Sequence, residues 1–189
     1  LLTIMILSLL ALSLLYFLPP QAIKPACLSA ILMIIYPYTK RFLKAPQLFL
    51  GLVFSMGIPM AYITQNHPLD TTFITFFTLN LLWVIIYDTI YAMTDQKDDE
   101  QAGAYSLART LSPHQSTFVQ IGYICLAASW TLWGYTQAFS IYYFLFLIPI
   151  YKNLFTQYQL VKKSKYFQAF ILNTQVGTWL FIAVLSQYL

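Results

Sequence analysis

Charged residues are scarce in this 189-residue chain. They make up 8% of it, against roughly 25% in an ordinary soluble domain, while 59% of the residues are hydrophobic. Too few polar side chains remain to cover a water-soluble fold of this size, so a soluble globular protein is excluded. An aromatic content of 18% also excludes a disordered chain. The class that remains is an integral membrane protein.

Cysteine is scarce as well, and its placement excludes several kinds of site. Cys27 and Cys125 both lie in apolar stretches, where we expect small buried side chains and neither a disulfide nor a zinc site. The chain also has no glycine-rich phosphate loop and no nucleophile–histidine pair. Its net charge of +4 comes from short loops instead of a continuous basic stripe, so nucleic acid is not a predicted partner.

Long apolar runs dominate what is present. A membrane-spanning helix needs about 20 mainly apolar residues, and proline at Pro19, Pro20, Pro68 and Pro113 separates such runs. The sequence therefore predicts one all-α, polytopic transmembrane helix bundle of about seven spans. These spans are residues 1–18, 22–38, 46–64, 71–93, 116–135, 138–152 and 167–189.

The basic residues predict how these spans are oriented. With seven spans, the second, fourth and sixth loops share one membrane face and carry nine Lys or Arg residues, whereas the opposite face carries only Lys24. Positive charge is enriched in cytoplasmic loops. The three basic loops are therefore predicted to be cytoplasmic. The nine residues are Lys40, Arg41, Lys44, Lys97, Arg109, Lys152, Lys162, Lys163 and Lys165.

Acidic residues are few, and they cluster. Five of the six fall between Asp88 and Glu100, at the end of the fourth span. If the helix continues, Asp88, Asp95 and Asp99 lie within about 40° of one another, and the last two are one turn apart. Carboxylates held together repel each other unless a hard cation such as Mg²⁺ binds them. A solvated acidic loop is the alternative, but Asp88 lies inside an apolar span, where ionisable residues are by default functional.

Cations that match this acid are present in the second loop. Lys40 and Arg41 are predicted to lie on the same membrane face as the acidic cluster. A diphosphate would use both groups, with Mg²⁺ bridging it to the carboxylates and Lys or Arg on its free oxygens. Ordinary membrane anchoring by positive charge explains the same residues and stays open as the alternative.

Three blocks of sequence, spread over most of the chain, form one pattern. The first comprises Tyr87, Asp88, Thr89, Tyr91, Ala92, Asp95, Asp98, Asp99, Gly103, Ser106 and Ala108. The others comprise Tyr36, Pro37, Lys40, Arg41, Pro46, Gln47, Gly51 and residues 57–61, and then Phe170, Asn173, Val176 and Gly177. In content and order these blocks resemble the UbiA superfamily of intramembrane prenyltransferases, and within it most of all the 4-hydroxybenzoate polyprenyltransferases. The first block resembles the family's second aspartate-rich motif.

The resemblance implies a function and a site. It implies a bundle of nine spans in the bacterial inner membrane, with a central cavity that opens toward the cytoplasmic side and is capped by aspartate-rich loops. The reaction would be Mg²⁺-dependent transfer of a polyprenyl group from polyprenyl diphosphate to the ring of 4-hydroxybenzoate, in ubiquinone biosynthesis. Asp95 and Asp99 would hold Mg²⁺ and, with Arg41, would be catalytic.

The same resemblance implies further substrate contacts and also shows departures from the family pattern. Lys40 and Arg41 would bind the diphosphate, and Asp88 and Tyr91, expected to face the same side, would orient the loop or the carbocation. The family's first aspartate-rich motif is absent from residues 1–189, which we interpret as one prenyltransferase domain lacking two helices at its N-terminus. Gln96 replaces the usual Arg, and Tyr105 replaces a frequent Lys. Both changes remove positive charge near the diphosphate.

Other functions remain open from the sequence. A related prenyltransferase could use homogentisate, a naphthoate or haem as its acceptor. A transporter or channel could bind cations at the acidic cluster, and a membrane scaffold without catalytic activity is a third alternative. The sequence does not indicate the oligomeric state.

Overall fold

In the computed structural model, residues 2–189 form eleven α-helices and no β-strand. Leu1, which begins the first predicted span, lies outside the described residues. The helices are α1 (Leu2–Leu15), α2 (Pro20–Thr39), α3 (Pro46–Ser55), α4 (Gly57–Thr64), α5 (Thr71–Thr94), α6 (Gln96–Gln101), α7 (Leu107–Thr110), α8 (Gln115–Thr136), α9 (Ile141–Lys162), α10 (Tyr166–Ile171) and α11 (Asn173–Leu185).

Local sequence accounts for where several helices begin and break. Proline occupies the first turn of α2 and α3, where its missing N–H needs no partner. Asp70 caps α5 by accepting a hydrogen bond from the Phe73 amide at 2.9 Å. Met56 divides the third predicted span into α3 and α4, and Leu172 divides the seventh into α10 and α11.

Every predicted span coincides with a helical segment, but one boundary prediction was wrong. The sixth span, expected at residues 138–152, is the helix Ile141–Lys162, which contains Pro149 and continues ten residues further. Lys152 is therefore an exposed residue in mid-helix instead of a loop residue. By length and composition, four segments are long and apolar enough to cross a membrane: Pro20–Thr39, Pro46–Thr64, Thr71–Thr94 and Tyr166–Leu185.

The helices pack around α5. This helix contacts α3 and α4 on one side and α8 and α10 on the other, while α9 packs against α8, α10 and α11. The core between them includes Ile86, Ile90, Leu126, Tyr143 and Leu147, each at most 1% exposed. The structure is thus an all-α bundle whose buried core lies between α5 and the helices packed around it.

The outside of the bundle is apolar, as expected for a surface that meets lipid. Ile124 and Phe155 are 61% and 63% exposed, although a soluble protein would bury such side chains. Cys27 and Cys125 are also exposed. The expectation that both cysteines are buried was therefore wrong, because apolar stretches of a membrane protein pack against lipid as well as against protein.

Hydrogen bonds between loops show which loops share an end of the bundle. At one end, the Tyr105 amide donates to the Lys40 carbonyl at 2.7 Å. At the other end, the Gln21 side chain donates to Asn66 at 3.0 Å. The second and fourth loops therefore lie together, apart from the first and third, as the alternation of seven spans requires. We call the first of these the basic end.

Candidate functional site

The predicted helix through the acidic cluster breaks at one residue but keeps its register. Helix α5 ends at Thr94, Asp95 has non-helical dihedral angles (φ −97°, ψ 8°), and α6 begins at Gln96. The Asp99 amide still donates to the Asp95 carbonyl at 2.9 Å. Asp95 and Asp99 therefore remain one turn apart, as the sequence predicted.

Asp99 faces the basic loop, which we define as residues 40–45 between α2 and α3. Its carboxylate oxygen Oδ1 lies 4.0 Å from the Lys40 ammonium nitrogen, and the Asp99 side chain is only 13% exposed. Asp88 lies on α5, eleven residues or about three helical turns before Asp99, close enough to interact with both of these residues and with the Gln47 side chain. Lys40, Asp88 and Asp99 thus form one charged cluster at the basic end.

One oxygen of this cluster lacks a partner. Oδ2 of Asp99 is buried, and nothing in residues 2–189 donates a hydrogen bond to it. A buried carboxylate oxygen without a donor is costly, and a bound cation or a protonated ligand group would remove that cost. The donor chemistry at Asp99 therefore suits a hard divalent cation.

The carboxylates do not converge as a triad. Within the described part of the chain, no three Asp, Glu, His or Cys side chains are close enough to hold a metal ion together. The described structure therefore does not bring Asp88, Asp95 and Asp99 together around one point. The assignment of Asp95 and Asp99 to Mg²⁺ stays a prediction.

Three hydrogen bonds fix the acidic segment, defined as residues 95–106, and the following helix α7 against the basic loop and α3. The Tyr105 amide donates to the Lys40 carbonyl at 2.7 Å. The Leu107 amide donates to Oε1 of Gln47 at 2.8 Å, and the Thr110 hydroxyl donates to the Lys44 carbonyl at 2.7 Å. These contacts, and not the single ion pair, determine how far Asp99 lies from Lys40.

Arg109 braces the acidic segment from within. Its guanidinium donates to the Ala104 carbonyl and, at 3.5 Å, to the carbonyl of Asp99 itself. Gly103 makes this turn possible, because its φ of +67° lies in the left-handed region that glycine tolerates best. From the sequence, Arg109 was interpreted only as one of the basic residues of the cytoplasmic loops. Gln47, named from the sequence only as part of a family block, and Arg109 are positioning residues whose roles were not predicted.

Two other predicted site residues occupy different surroundings. Arg41, next to Lys40, is exposed at the surface of the basic end. Tyr91 is 38% exposed and packs against Phe170 of α10, with 5.0 Å between ring centroids. Asp88 instead faces the basic loop. Asp88 and Tyr91 therefore have different neighbours, and their roles in orienting the loop or the carbocation stay predictions.

An aromatic cluster lies beside the charged one. Tyr87 is 6.1 Å from Phe170 and 5.9 Å from Trp83, measured between ring centroids. The Trp83 indole donates to the Asn173 side chain at 3.1 Å, which fixes α5 to the start of α11. Aromatic rings of this kind attract cationic centres through their faces.

The two residues that depart from the family pattern, Gln96 and Tyr105, lie near two basic residues. Gln96 and Tyr105 line a cavity of about 430 Å³ together with two basic residues, Lys44 and Arg109, and one acidic residue, Glu100. The Gln96 side chain also accepts a hydrogen bond from Gln115 at 2.8 Å. Positive charge is therefore present in this cavity, even though positions 96 and 105 do not supply it.

Comparison with known proteins now identifies the family. The model of the UbiA prenyltransferase family matches residues 1–184.

The chain belongs to the UbiA prenyltransferase family.

Curated relatives and a solved structure agree with this membership. The chain is 35% identical to 4-hydroxybenzoate octaprenyltransferase of Legionella pneumophila (strain Paris), covering 92% of the chain and 63% of the relative. It is 33% identical to the enzyme of the same name from Shewanella sediminis (strain HAW-EB3), covering 97% and 65%. The chain thus spans less than two thirds of the length of these relatives.

The apo structure of a UbiA homolog from Aeropyrum pernix K1 superposes with a TM-score of 0.75 at 18% sequence identity, over 92% of this chain and 66% of that one. At this identity the likeness establishes the fold. The all-α polytopic bundle expected from the sequence is confirmed, and this UbiA-family chain is an integral membrane protein.

Proposed function

We propose that this protein transfers a polyprenyl group from polyprenyl diphosphate to the ring of 4-hydroxybenzoate, in ubiquinone biosynthesis. The observation that carries the proposal is the Asp99 carboxylate at the basic end of a UbiA-family bundle, whose Oδ1 lies 4.0 Å from the Lys40 ammonium nitrogen. Its other oxygen, Oδ2, is buried and has no hydrogen-bond donor within residues 2–189. The curated relatives bear the name of that activity. Neither a cation channel nor a scaffold requires a lysine and a carboxylate to lie together beside an aromatic cluster, whereas transfer from a diphosphate would use both groups.

The charged cluster would act on the diphosphate. When the donor's allylic carbon–oxygen bond breaks, both bonding electrons leave with the diphosphate. Lys40 and Arg41 would donate hydrogen bonds to its oxygens and stabilise the added charge. Asp95 and Asp99 would hold Mg²⁺, whose chemistry there is to neutralise the negative charge of the leaving group.

The aromatic cluster would act on the carbon. Tyr87, Tyr91 and Phe170 lie beside the charged cluster and could stabilise the allylic cation that remains after the diphosphate leaves. A ring carbon of 4-hydroxybenzoate then forms the new carbon–carbon bond, and the ring loses a proton. Asp88, within reach of Gln47 and Lys40, would orient the loop above this carbon.

An assay of the gene product with several acceptors tests the proposal. Membranes containing the protein are supplied with Mg²⁺, a polyprenyl diphosphate and one of 4-hydroxybenzoate, homogentisate, a naphthoate or haem. We expect diphosphate release and a prenylated product with 4-hydroxybenzoate alone. A prenylated product with another acceptor would assign the protein to a different reaction within the family. If diphosphate release did not depend on Mg²⁺ or did not occur, the transporter or scaffold alternatives would be favoured.

We further propose a bacterial inner-membrane location with the basic end on the cytoplasmic side. Eight of the ten basic residues lie at this end, since Lys152 is in mid-helix and Lys24 is in the first turn of α2. Positive charge in short loops favours the cytoplasm. Cysteine labelling tests the orientation. Cys27 and Cys125 must first be replaced, because both are exposed, and cysteine at position 98 should then react only from the cytoplasmic side.

A further inference from the structure

A groove on the outer surface of the bundle runs between α8 and α9, away from the charged cluster. It has a volume of about 260 Å³ and is lined mainly by apolar groups of Ile124, Ala127, Tyr151, Phe155 and Tyr158. Ile124 and Phe155 are strongly exposed, so the groove faces the lipid. None of the residues assigned to diphosphate or Mg²⁺ lines it.

The end of the groove nearest the basic end is polar. The Tyr158 hydroxyl donates to Oε1 of Gln120 at 3.1 Å, and the Gln120 amide adds two N–H donors there. Lys162 lies one helical turn beyond Tyr158, and its ammonium nitrogen is 5.8 Å from the centre of the Tyr158 ring. The groove is therefore an apolar trough with a cation and amide donors at its mouth.

Lys162, at this mouth, forms no ion pair with a carboxylate of the described residues. Residues 101–189 contain no Asp or Glu, whereas they contain five basic residues. A second copy of this chain would bring the same cations to the groove and would be repelled. An amphiphile with an anionic headgroup matches both parts, because basic pockets between membrane helices bind such headgroups and the apolar trough accepts a hydrocarbon chain. The five residues are Arg109, Lys152, Lys162, Lys163 and Lys165.

We propose that the α8–α9 groove binds one anionic phospholipid, with a hydrocarbon chain along Ile124, Ala127 and Phe155 and the phosphate at Lys162 and Gln120. Lysine can reach a headgroup while its methylene stem stays in the apolar layer. The site is separate from the proposed transfer reaction and does not depend on it.

Lipid binding to the purified gene product in a mild detergent tests this site. Native mass spectrometry measures binding of phosphatidylglycerol and of phosphatidylcholine with the same acyl chains. Lys162→Gln should lower the affinity for phosphatidylglycerol about fivefold, which is the usual contribution of one lysine near a membrane surface. The matched control is Lys163→Gln, which removes the same charge one residue further on and should change the affinity less than twofold.

A second variant tests the trough. Ala127→Leu adds bulk where the hydrocarbon chain would lie and should weaken binding of phosphatidylglycerol while leaving Lys162 in place. Equal losses in Lys162→Gln and Lys163→Gln would mean that general surface charge attracts the lipid, and equal affinity of the unmodified protein for both lipids would mean that the mouth does not select charge. Displacement of phosphatidylglycerol by farnesyl diphosphate would assign the groove to the substrate. Each of these three results would overturn the proposal.

Discussion

Neutralising Asp99 should affect catalysis far more than neutralising its neighbour Asp98. Asp99→Asn keeps the size of the side chain and removes the charge that faces Lys40, whereas Asp98 is exposed to solvent. The two substitutions are chemically identical and occur on the same short helix, so each controls for the effects of the other on solubility and helix formation.

The structure gives the scale of the effect. Two unit charges 4.0 Å apart, as Lys40 and Asp99 are, interact by about 4 kcal/mol at an effective dielectric constant of 20. Lys40 is about one third exposed, so solvent screening reduces the contribution to stability to roughly 1 kcal/mol or less. A group that acts mainly on the transition state contributes more to rate, and we expect Asp99→Asn to lower kcat about 10²-fold or more.

Steady-state kinetics of the gene product in membranes decides the matter, with thermal unfolding measured on the same preparations. Asp98→Asn should retain kcat within about threefold, since an exposed charge is well screened. Equal losses of kcat in the two variants would refute the argument. A fall in thermal stability large enough to explain the lost activity of Asp99→Asn would refute it as well.

Three further predictions follow from the geometry. Arg41→Lys keeps the charge but loses the bidentate fork, so KM for the polyprenyl diphosphate should rise while KM for 4-hydroxybenzoate stays nearly constant. Arg109→Gln removes the hydrogen bond from the guanidinium to the Asp99 carbonyl. The Mg²⁺ concentration for half-maximal rate should then increase about tenfold, as with other residues that orient metal ligands. An unchanged Mg²⁺ dependence would contradict that role. Gly134→Ala should lower the free energy of unfolding by about 1 kcal/mol or more, because a Cβ there would lie 2.6 Å from Cδ1 in the ring of the fully buried Tyr143, whereas Gly57→Ala should not, since it meets nothing within 4 Å.

The sequence predicted the architecture well because membrane helices are encoded locally. A run of about 20 apolar residues is a sufficient signal, and the alternating loop charges placed the basic loop and the acidic segment at the same end. The Asp95–Asp99 spacing survived for the same reason, since a helical turn links the two residues even where α5 ends.

Predictions from the sequence were wrong or missing where contacts between distant parts of the chain determine the structure. Helix α9 extends past Lys152 because its later turns are amphipathic, with Leu154 and Gln157 buried against other helices. Hydropathy alone ended this span too early. The positioning roles of Gln47 and Arg109 could not be predicted, although Gln47 belongs to a family block, because their partners are backbone groups at positions 107 and 104 that only the folded chain brings near.

The separation of Asp88 from Tyr91 was missed for a related reason. The two residues are three apart on α5 and so lie about 60° apart around its axis, which suggested one shared face. Helix α5 has other helices packed around it, however, so two residues about 60° apart can have different neighbours. Asp88 lies near Lys40 of the basic loop, and Tyr91 lies against Phe170 of α10.

The central claim is that the Asp99 carboxylate helps to hold a divalent cation against the diphosphate. Electron paramagnetic resonance of Mn²⁺ bound to the purified gene product, with a non-reacting polyprenyl diphosphate analogue, tests it without relying on turnover. The unmodified protein and Asp98→Asn should bind Mn²⁺ with hyperfine coupling to phosphorus, and Asp99→Asn should lose most of that signal. Full Mn²⁺ binding and phosphorus coupling in Asp99→Asn would contradict the claim.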